Sequence, residues 1–256
     1  MTAVFFVDEG PRDAPALVLG NSLGTTLSMW DAQVPDLAGR FRLIRYDHRG
    51  HGRSPVPDGP YSIDDFAEDV VELLDGLGIE TVHYCGLSIG GMTGIALAAR
   101  HPERVGRLVV CCSSPHMPPA SNWQQRAAAV GEAGSVAAVA DAVVERWLTP
   151  AYAAEHPDVH QGLRAMLAAS PPDGYIAACG AIERMDLRPL LGRVLAPTLV
   201  IGGEYDLAAP PDAHARVIAE GIPQARYELV PAAHVANVEQ AELVTELIID
   251  HLERDQ

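Results

Sequence analysis

The sequence predicts an α/β fold in which a mostly parallel sheet carries helices on both faces. Short apolar runs rich in β-branched residues alternate along the chain with longer segments of helical period. Parallel strands require long crossover segments, because the chain must return to the same end of the sheet before the next strand begins. The predicted strands are residues 4–7, 16–19, 41–46, 81–85, 108–112, 198–202 and 226–230.

Two helices are predicted from the spacing of their apolar residues. Ser62 suits the N-cap of the first helix, because its hydroxyl can accept a hydrogen bond from a backbone N–H that the helix leaves unpaired. The apolar face that follows must pack on the sheet and comprises Ile63, Phe66, Val70, Leu73, Leu74 and Leu77. The second helix is predicted over residues 238–252, with Leu243, Leu247 and Ile248 facing inward.

Residues 115–188 interrupt the strand pattern. Ala, Trp and charged residues dominate there, between prolines at 115, 118 and 119 and another at 189. We interpret this segment as a helical lid inserted into a core formed by residues 1–114 and 189–256. The alternative is a long pair of crossover helices, although a simple crossover needs far fewer residues.

The charge balance limits the classes of partner. Lys plus Arg number 18 and Asp plus Glu number 34, so the formal net charge is −16. This charge repels nucleic acid and anionic lipid surfaces, so neither is expected as a partner. An anionic small molecule would need a local cationic site. The sequence does not report an oligomeric state.

The cysteines and the amino terminus indicate a cytoplasmic protein. None of the four cysteines forms a C-x-x-C pair, and three of them lie in apolar stretches, so buried thiols are expected. The amino terminus has no basic region and reaches Asp8 at once, unlike a signal peptide. The longest apolar region is interrupted by Glu132 and Asp141, which is too early for a membrane span.

A G-x-S-x-G motif at residues 86–90 supplies a candidate nucleophile, Ser88. The motif directly follows the predicted strand 81–85 and precedes a helix rich in small residues, which is the context that a nucleophile elbow requires. The backbone N–H of Ile89, at the start of that helix, is expected to stabilise negative charge on an attacked carbonyl oxygen. A second N–H donor is expected from Leu23, in the loop after strand 16–19.

His234 is the candidate base for Ser88. It lies in a loop just beyond the predicted strand 226–230, and the carboxyl ends of parallel strands share one edge of a sheet. His48 and His51 stay open as alternatives, because they belong to a glycine-rich loop at the same edge and one of them could contact substrate.

Asp206 is the candidate carboxylate that orients the histidine. It follows the predicted strand 198–202, and Glu204 and Asp212 are its rivals. A carboxylate there would accept the second imidazole proton and stabilise the imidazolium. The chain order serine, aspartate, histidine is the order of the α/β-hydrolase fold, so we predict that fold and a serine hydrolase mechanism without metal or organic cofactor.

Several segments together resemble the bacterial 3-oxoadipate enol-lactonases. They are Asn21-Ser22-Leu23-Gly24-Thr25-Thr26, Met29-Trp30-Asp31-Ala32-Gln33, Arg45 to Ser54 and Gly86 to Gly91, with Asn122 to Arg126 and Arg146 to Pro150 in the lid. The resemblance covers nearly the whole chain. The amino terminus is shorter than is usual in the family, so the first strand of the fold is expected to be missing, and the decarboxylase domain of some fused relatives is not expected here.

The resemblance implies an anionic substrate, an enol-lactone with a free carboxylate. Its carboxylate needs a cation, for which Arg126 is the first candidate and Arg49 the second; surface solvation is the alternative for Arg126. Arg126 lies three residues from Trp123 and so on the same helical face. Trp123 and Trp147 either wall the pocket or hold the lid together. A carboxylesterase, a carbon–carbon bond hydrolase and a low-turnover receptor are the alternative functions.

Overall fold

The computed structural model describes residues 3–254, and it contains a seven-stranded sheet. Strand β1 lies antiparallel to β3, and all the other pairs are parallel, in the spatial order β1-β3-β2-β4-β5-β6-β7. This is the mostly parallel α/β sheet that the sequence predicted. The strands are β1 Phe6–Glu9, β2 Ala16–Gly20, β3 Arg42–Tyr46, β4 Val82–Leu87, β5 Val105–Cys111, β6 Thr198–Gly203 and β7 Arg226–Val230.

Helices cover both faces of the sheet and fill the segment between β5 and β6. Two short 3-10 turns also occur, at Leu27–Trp30 and Pro102–Arg104. The α-helices are α1 Val34–Leu37, α2 Ile63–Leu77, α3 Ile89–Arg100, α4 Ala120–Ala133, α5 Ala137–Val144, α6 Pro150–Glu155, α7 Pro157–Ala168, α8 Pro172–Arg184, α9 Arg188–Leu191, α10 Ala215–Gly221, α11 Ala236–Glu239 and α12 Ala241–Glu253.

Helix α2 begins where its N-cap residue predicts. The Ser62 hydroxyl accepts a hydrogen bond from the Asp65 N–H at 3.2 Å, and the Asp65 carboxylate accepts one from the Ser62 N–H at 2.7 Å. This reciprocal capping box satisfies donors that the first turn leaves free. Gly78 ends the helix in the left-handed conformation, with φ 67°. Between these caps the predicted apolar face packs against the core, with Phe66, Val70 and Leu74 fully buried.

Strand β1 lies two residues later than predicted, because cross-strand ion pairs hold polar residues in it. Asp8 pairs with Arg42 at 2.8 Å and Glu9 with Arg45 at 2.7 Å, both across the antiparallel ladder to β3. An edge strand can carry such charges since one side of it faces water. Residues 1 and 2 lie outside the described residues, so the expected absence of a preceding strand stays a prediction.

The carboxy-terminal helix was predicted with one wrong inward residue. Two helices, α11 and α12, replace the single helix expected over residues 238–252. Leu243 is 36% exposed, whereas Val244 and Ile248 are fully buried and Leu247 is half-buried. Because α12 begins at Ala241, Val244 takes the inward position that Leu243 was expected to occupy.

The segment predicted as a lid is helical. Helices α4 to α8 lie within residues 115–188 and α9 begins at Arg188, and no strand occurs between β5 and β6 among the described residues. Helix α4 packs against α8, and α5 packs against α7. A simple pair of crossover helices does not describe this segment. We keep the name lid for residues 115–188.

All four cysteines are buried and free, as predicted. In the part of the chain that the structure describes, no helix combines the length and apolar character needed to cross a bilayer.

We expect Ser62→Ala to lower the free energy of unfolding by about 1 kcal/mol, because it removes the side-chain cap of α2. Urea unfolding followed by far-UV circular dichroism measures the change. Ser121→Ala is a matched control, since Ser121 is exposed on α4 and caps nothing. Equal stability of the Ser62 variant and the parent would contradict the role of the capping box.

Candidate active site

The candidate residues meet at the carboxyl edge of the sheet. Leu23 follows β2, Ser88 follows β4, Asp206 follows β6 and His234 follows β7. These four loops lie at one edge because the four strands run parallel to one another. Residues distant in the chain therefore come together, as the sequence predicted from strand ends alone.

Ser88 occupies a strained turn between β4 and α3. Its backbone has φ 57° and ψ −117°, a combination that L-residues rarely adopt. The flanking glycines permit it. A Cβ on Gly86 would lie 2.2 Å from the carbonyl oxygen of Gly90, and one on Gly90 would lie 2.3 Å from that of Gly20. The turn brings three backbones into contact, and it leaves the Ser88 side chain only partly covered.

A hydrogen bond joins His234 to Asp206. The ring Nδ1 lies 2.8 Å from Asp206 Oδ2, and both side chains are almost completely buried. The other carboxylate oxygen accepts the N–H groups of Ala208 and Ala209, each at 2.8 Å. The rival carboxylates are elsewhere: Glu204 is exposed, and the exposed Asp212 pairs with Arg216.

The surroundings of Asp206 keep it ionised. Burial opposes the charge of this carboxylate, but His234 and the two N–H donors outweigh that effect and lower its pKa below the ordinary value. An ionised Asp206 must accept the proton of His234 Nδ1. The neutral imidazole therefore has its unprotonated nitrogen at Nε2.

Ser88 and His234 line the same cavity, which has a volume of about 230 Å³. Within residues 3–254 the structure records no hydrogen bond between the Ser88 hydroxyl and the imidazole. Such contacts between a nucleophile and its base are often long before substrate binds.

Of the two residues expected to supply oxyanion donors, Ile89 directly follows Ser88 in the chain and Leu23 lines the same cavity as Ser88. The N–H of Ile89 belongs to the first residue of α3, so no carbonyl within the helix can accept it. Leu23 lines the cavity, and neither N–H has a hydrogen-bond acceptor among the described residues. Two free donors next to a serine can stabilise an oxyanion that forms there.

The lid supplies one wall of the cavity. Trp123, Arg126 and Trp147 all line it. The Arg126 guanidinium lies over the Trp123 ring, 4.7 Å from its centre. Trp123 also donates to the Met117 carbonyl at 3.2 Å, so it both holds the lid and walls the cavity.

Arg49, the second candidate for the substrate carboxylate, does not line this cavity. Its guanidinium donates two hydrogen bonds of 2.6 Å to Asp69 and also lies 3.4 Å from Asp65. Two carboxylates already pair with this cation, so the structure does not support the expectation that Arg49 binds substrate.

Arg146 and Tyr175 also line the cavity, and neither was proposed from the sequence as a site residue. Burial and the nearby guanidinium of Arg126 lower the pKa of Arg146. The Tyr175 hydroxyl is buried and has no hydrogen-bond partner among the described residues. Arg146 directly precedes Trp147, a neighbour that could have drawn attention to it. Nothing in the local sequence of Tyr175 signals its position.

No ion pair with an aspartate or glutamate engages Arg126 or Arg146 anywhere in residues 3–254. Two neighbouring cations without a counterion are unusual in a chain whose net charge is −16. They make the lid side of the cavity suitable for an anion.

His48 and His51 are packing residues here. Both are fully buried and neither lines the cavity. His48 Nε2 lies 3.1 Å from the Asn21 carbonyl, and its ring packs edge-on against Phe66. The structure gives neither histidine a contact with the cavity, so the alternative that one of them touches substrate is not supported.

A buried glutamate connects the lid to the loop of His234. The Glu239 carboxylate accepts the N–H of Ala233 at 3.0 Å, the N–H of Thr149 at 3.2 Å and the Thr149 hydroxyl. In addition, the Val235 N–H donates to the carbonyl of Trp147 at 3.0 Å. The two neighbours of His234 in the chain are therefore both fastened to the lid.

The described residues, 3–254, hold no group of three or more histidine, cysteine, aspartate or glutamate side chains arranged to bind a metal ion.

Comparisons with known proteins agree with this architecture. The family model for the alpha/beta hydrolase fold matches residues 15–241. The chain therefore belongs to the α/β-hydrolase family. Within the family it resembles enol-lactonases, and it is a carboxylic ester hydrolase.

Three relatives give the extent of the similarity. 3-Oxoadipate enol-lactonase 2 of Acinetobacter baylyi is 39% identical over 93% of this chain and 88% of its own. The crystal structure of the enol-lactonase from Burkholderia xenovorans has a TM-score of 0.95 and 42% identity, covering 97% and 96% of the two chains. RutD of Variovorax paradoxus, provisionally named a carbamate hydrolase, is 33% identical over 96% and 94%. The resemblance to enol-lactonases is confirmed.

We expect stability to fall in acid because His48 is neutral in the folded protein. Burial and the neighbouring His51 lower the pKa of His48 to about 3, whereas an unfolded histidine has a pKa of about 6.5. The contribution of the neutral ring is therefore complete above about pH 6.5 and is lost as pH falls towards 3. Urea unfolding should show about 1.4 kcal/mol lost per pH unit within this window.

His48→Gln should reduce the slope of the unfolding free energy against pH by about 1.4 kcal/mol per pH unit, the effect of one proton. Glutamine can donate to the Asn21 carbonyl but does not titrate. A slope that is the same in the variant and the parent would contradict the assignment.

We expect Glu239→Leu to lower both stability and kcat, because two backbone N–H groups lose their acceptor at about 1–3 kcal/mol each and the loop of His234 is released. Glu239→Gln is the matched control, since its amide oxygen can accept both N–H groups while its NH2 faces the Thr149 hydroxyl. Thermal unfolding and kcat on an aryl ester measure the two effects. If glutamine were as damaging as leucine, the negative charge would matter rather than the hydrogen bonds.

Proposed function

We propose that this protein hydrolyses the ring ester of 3-oxoadipate enol-lactone to 3-oxoadipate, through an acyl-enzyme on Ser88. The observation that carries the proposal is one cavity that holds a strained serine, a histidine paired with a buried aspartate, and two arginines without counterions. The similarity to enol-lactonases supports the same substrate.

The first step is attack by the Ser88 hydroxyl on the lactone carbonyl carbon. His234 Nε2 takes the serine proton, and Asp206, at 2.8 Å from Nδ1, stabilises the imidazolium that forms. The carbonyl oxygen becomes an oxyanion between the N–H groups of Leu23 and Ile89. Substrate binding tightens the contact from Ser88 to His234, as is usual for such pairs.

Collapse of the tetrahedral intermediate breaks the bond between the carbonyl carbon and the ring oxygen. The ring oxygen leaves as an enol, which takes its proton from the His234 imidazolium and stays tethered to the acyl chain. Water activated by His234 then hydrolyses the ester on Ser88. Protein groups alone supply this acid–base and nucleophilic chemistry.

The free carboxylate of the lactone binds on the lid side of the cavity, at Arg126. This guanidinium is already held over Trp123, so little conformational freedom is lost when it binds a carboxylate. A charge of −16 disfavours nucleic acid and anionic membranes as partners, so a small anionic lactone is the proposed ligand, in a cytoplasmic enzyme.

Rate measurements on other ester and carbamate substrates can distinguish this proposal from its alternatives. A carboxylesterase or carbon–carbon bond hydrolase could use the same residues, and the RutD relative points to carbamates. Rates on a small panel of lactones, aryl esters and carbamates separate these activities. A receptor without turnover would differ from all of them, because a fluorophosphonate would fail to label Ser88.

We expect the parent protein to prefer the enol-lactone over a neutral aryl ester in kcat/KM, and Arg126→Ala to remove that preference. Loss of a hydrogen-bonded ion pair should raise KM for the charged lactone by about 10- to 100-fold. The aryl ester has no carboxylate, so its KM should change much less. Steady-state kinetics on both substrates measure the difference.

Arg164→Ala is the matched control for Arg126. It removes the same charge from the lid, but Arg164 pairs with Asp141 on the surface and does not line the cavity. An equal loss on both substrates in the Arg126 variant would exclude its role in binding the carboxylate. A parent protein that consumes only the neutral ester would exclude the lactone itself.

A further inference from the structure

A second histidine lines the active-site cavity and has no role in the steps above. His214 directly precedes α10 and lines the cavity together with Ser88 and His234. It is half-buried. Its Nδ1 lies 2.7 Å from the hydroxyl oxygen of Ser114, three residues beyond the end of β5.

The contacts of Ser114 determine which nitrogen of His214 carries the proton. The Ser114 hydroxyl also lies 2.8 Å from the carbonyl oxygen of His116, which can only accept, and it receives the N–H of His116 at 3.1 Å. Ser114 must therefore donate its one proton to that carbonyl. The remaining contact is a hydrogen bond only if His214 Nδ1 is the donor.

A neutral His214 thus presents an unprotonated Nε2. Burial lowers the pKa of His214; Asp206 opposes this effect, and His234 and His116 add to it. The ring is accordingly neutral near pH 7. Nε2 has no hydrogen-bond partner among the described residues and is not enclosed, so it is the ring atom free to bind a ligand in the cavity.

The proposed reaction produces a group that such a nitrogen can bind. Opening the ring ester yields an enol, and an enol becomes a ketone only when its oxygen loses a proton and its carbon gains one. His234 is engaged with the ester on Ser88 at that stage, because it must activate the water for deacylation. The enol hydroxyl needs a different acceptor.

We propose that His214 is a second catalytic base, which accepts the enol proton at Nε2 so that the ketone forms in the cavity. The enol oxygen gives its proton to Nε2, and the neighbouring carbon takes a proton from water. The imidazolium then returns its proton to the hydroxide so formed, and the step balances. This role rests on the proposed enol-lactone substrate.

His214→Asn tests the role with little disturbance. The asparagine amide N–H can replace Nδ1–H as donor to Ser114, but the position of Nε2 is lost. His160→Gln is the control, because His160 lies on α7 and outside the cavity wall. Ser114→Ala is a second variant. It keeps the imidazole but removes the hydrogen bond that holds the proton of His214 on Nδ1.

Rapid mixing with enol-lactone, followed by absorbance for the lactone and by a ketone-specific signal, gives the primary measurement. In the parent and in His160→Gln, ketone should appear as fast as lactone disappears. In His214→Asn, ketone should lag behind lactone loss because the enol ketonises in solution. Ser114→Ala should show a shorter lag than His214→Asn, because it keeps the imidazole.

Isotope labelling gives an independent measurement. In D2O the parent should place deuterium on one face of the new methylene, as deuterium NMR in a chiral orienting medium can resolve. His214→Asn should label both faces equally.

Three results would overturn the role of His214. They are a lag in the parent, one-faced labelling retained by His214→Asn, and equal losses of kcat for His214→Asn on the lactone and on an aryl ester. Failure of the parent to consume the lactone would instead remove the proposed function, and the role of His214 with it.

Discussion

The close approach of three backbone segments at Ser88 is the constraint on which the site depends. Gly20, Gly86 and Gly90 lie so near one another that a side chain on Gly86 or Gly90 would collide with a carbonyl oxygen. That contact holds Ser88 at a positive φ, at the start of α3 and above the sheet. The same turn makes Ile89 the first residue of α3, so no carbonyl within the helix can accept its N–H.

Electrostatics divide the cavity into two ends. Near the sheet, a buried carboxylate with three hydrogen-bond donors keeps its charge and orients one imidazole. Near the lid, burial and the charge of Arg126 lower the pKa of Arg146; Asp206 and Glu145 act in the opposite direction, but neither forms an ion pair with Arg146 within residues 3–254. The fold holds this unfavourable pair in place, and an anionic ligand would stabilise it.

The sequence predicted the features that depend on local pattern and on strand order. The seven strands, the cap at Ser62 and the loops of Ser88, Asp206 and His234 follow from short motifs and from the rule that parallel strands share an edge. The errors have tertiary causes. Arg49 lies away from the cavity because its partner Asp69 lies on another element, and no local pattern pointed to His214, whose contact with Ser114 spans 100 residues.

Glu239 and the backbone bond from Val235 to Trp147 fasten the cover of the cavity to the segment that carries the imidazole. Under the proposed mechanism, displacing this part of the lid would also displace His234, the residue proposed to accept the serine proton. An open cavity would then expose a serine that cannot react, and a reactive serine would exist only when enclosed. Such coupling would protect the protein from indiscriminate acylation by electrophiles in the surrounding water.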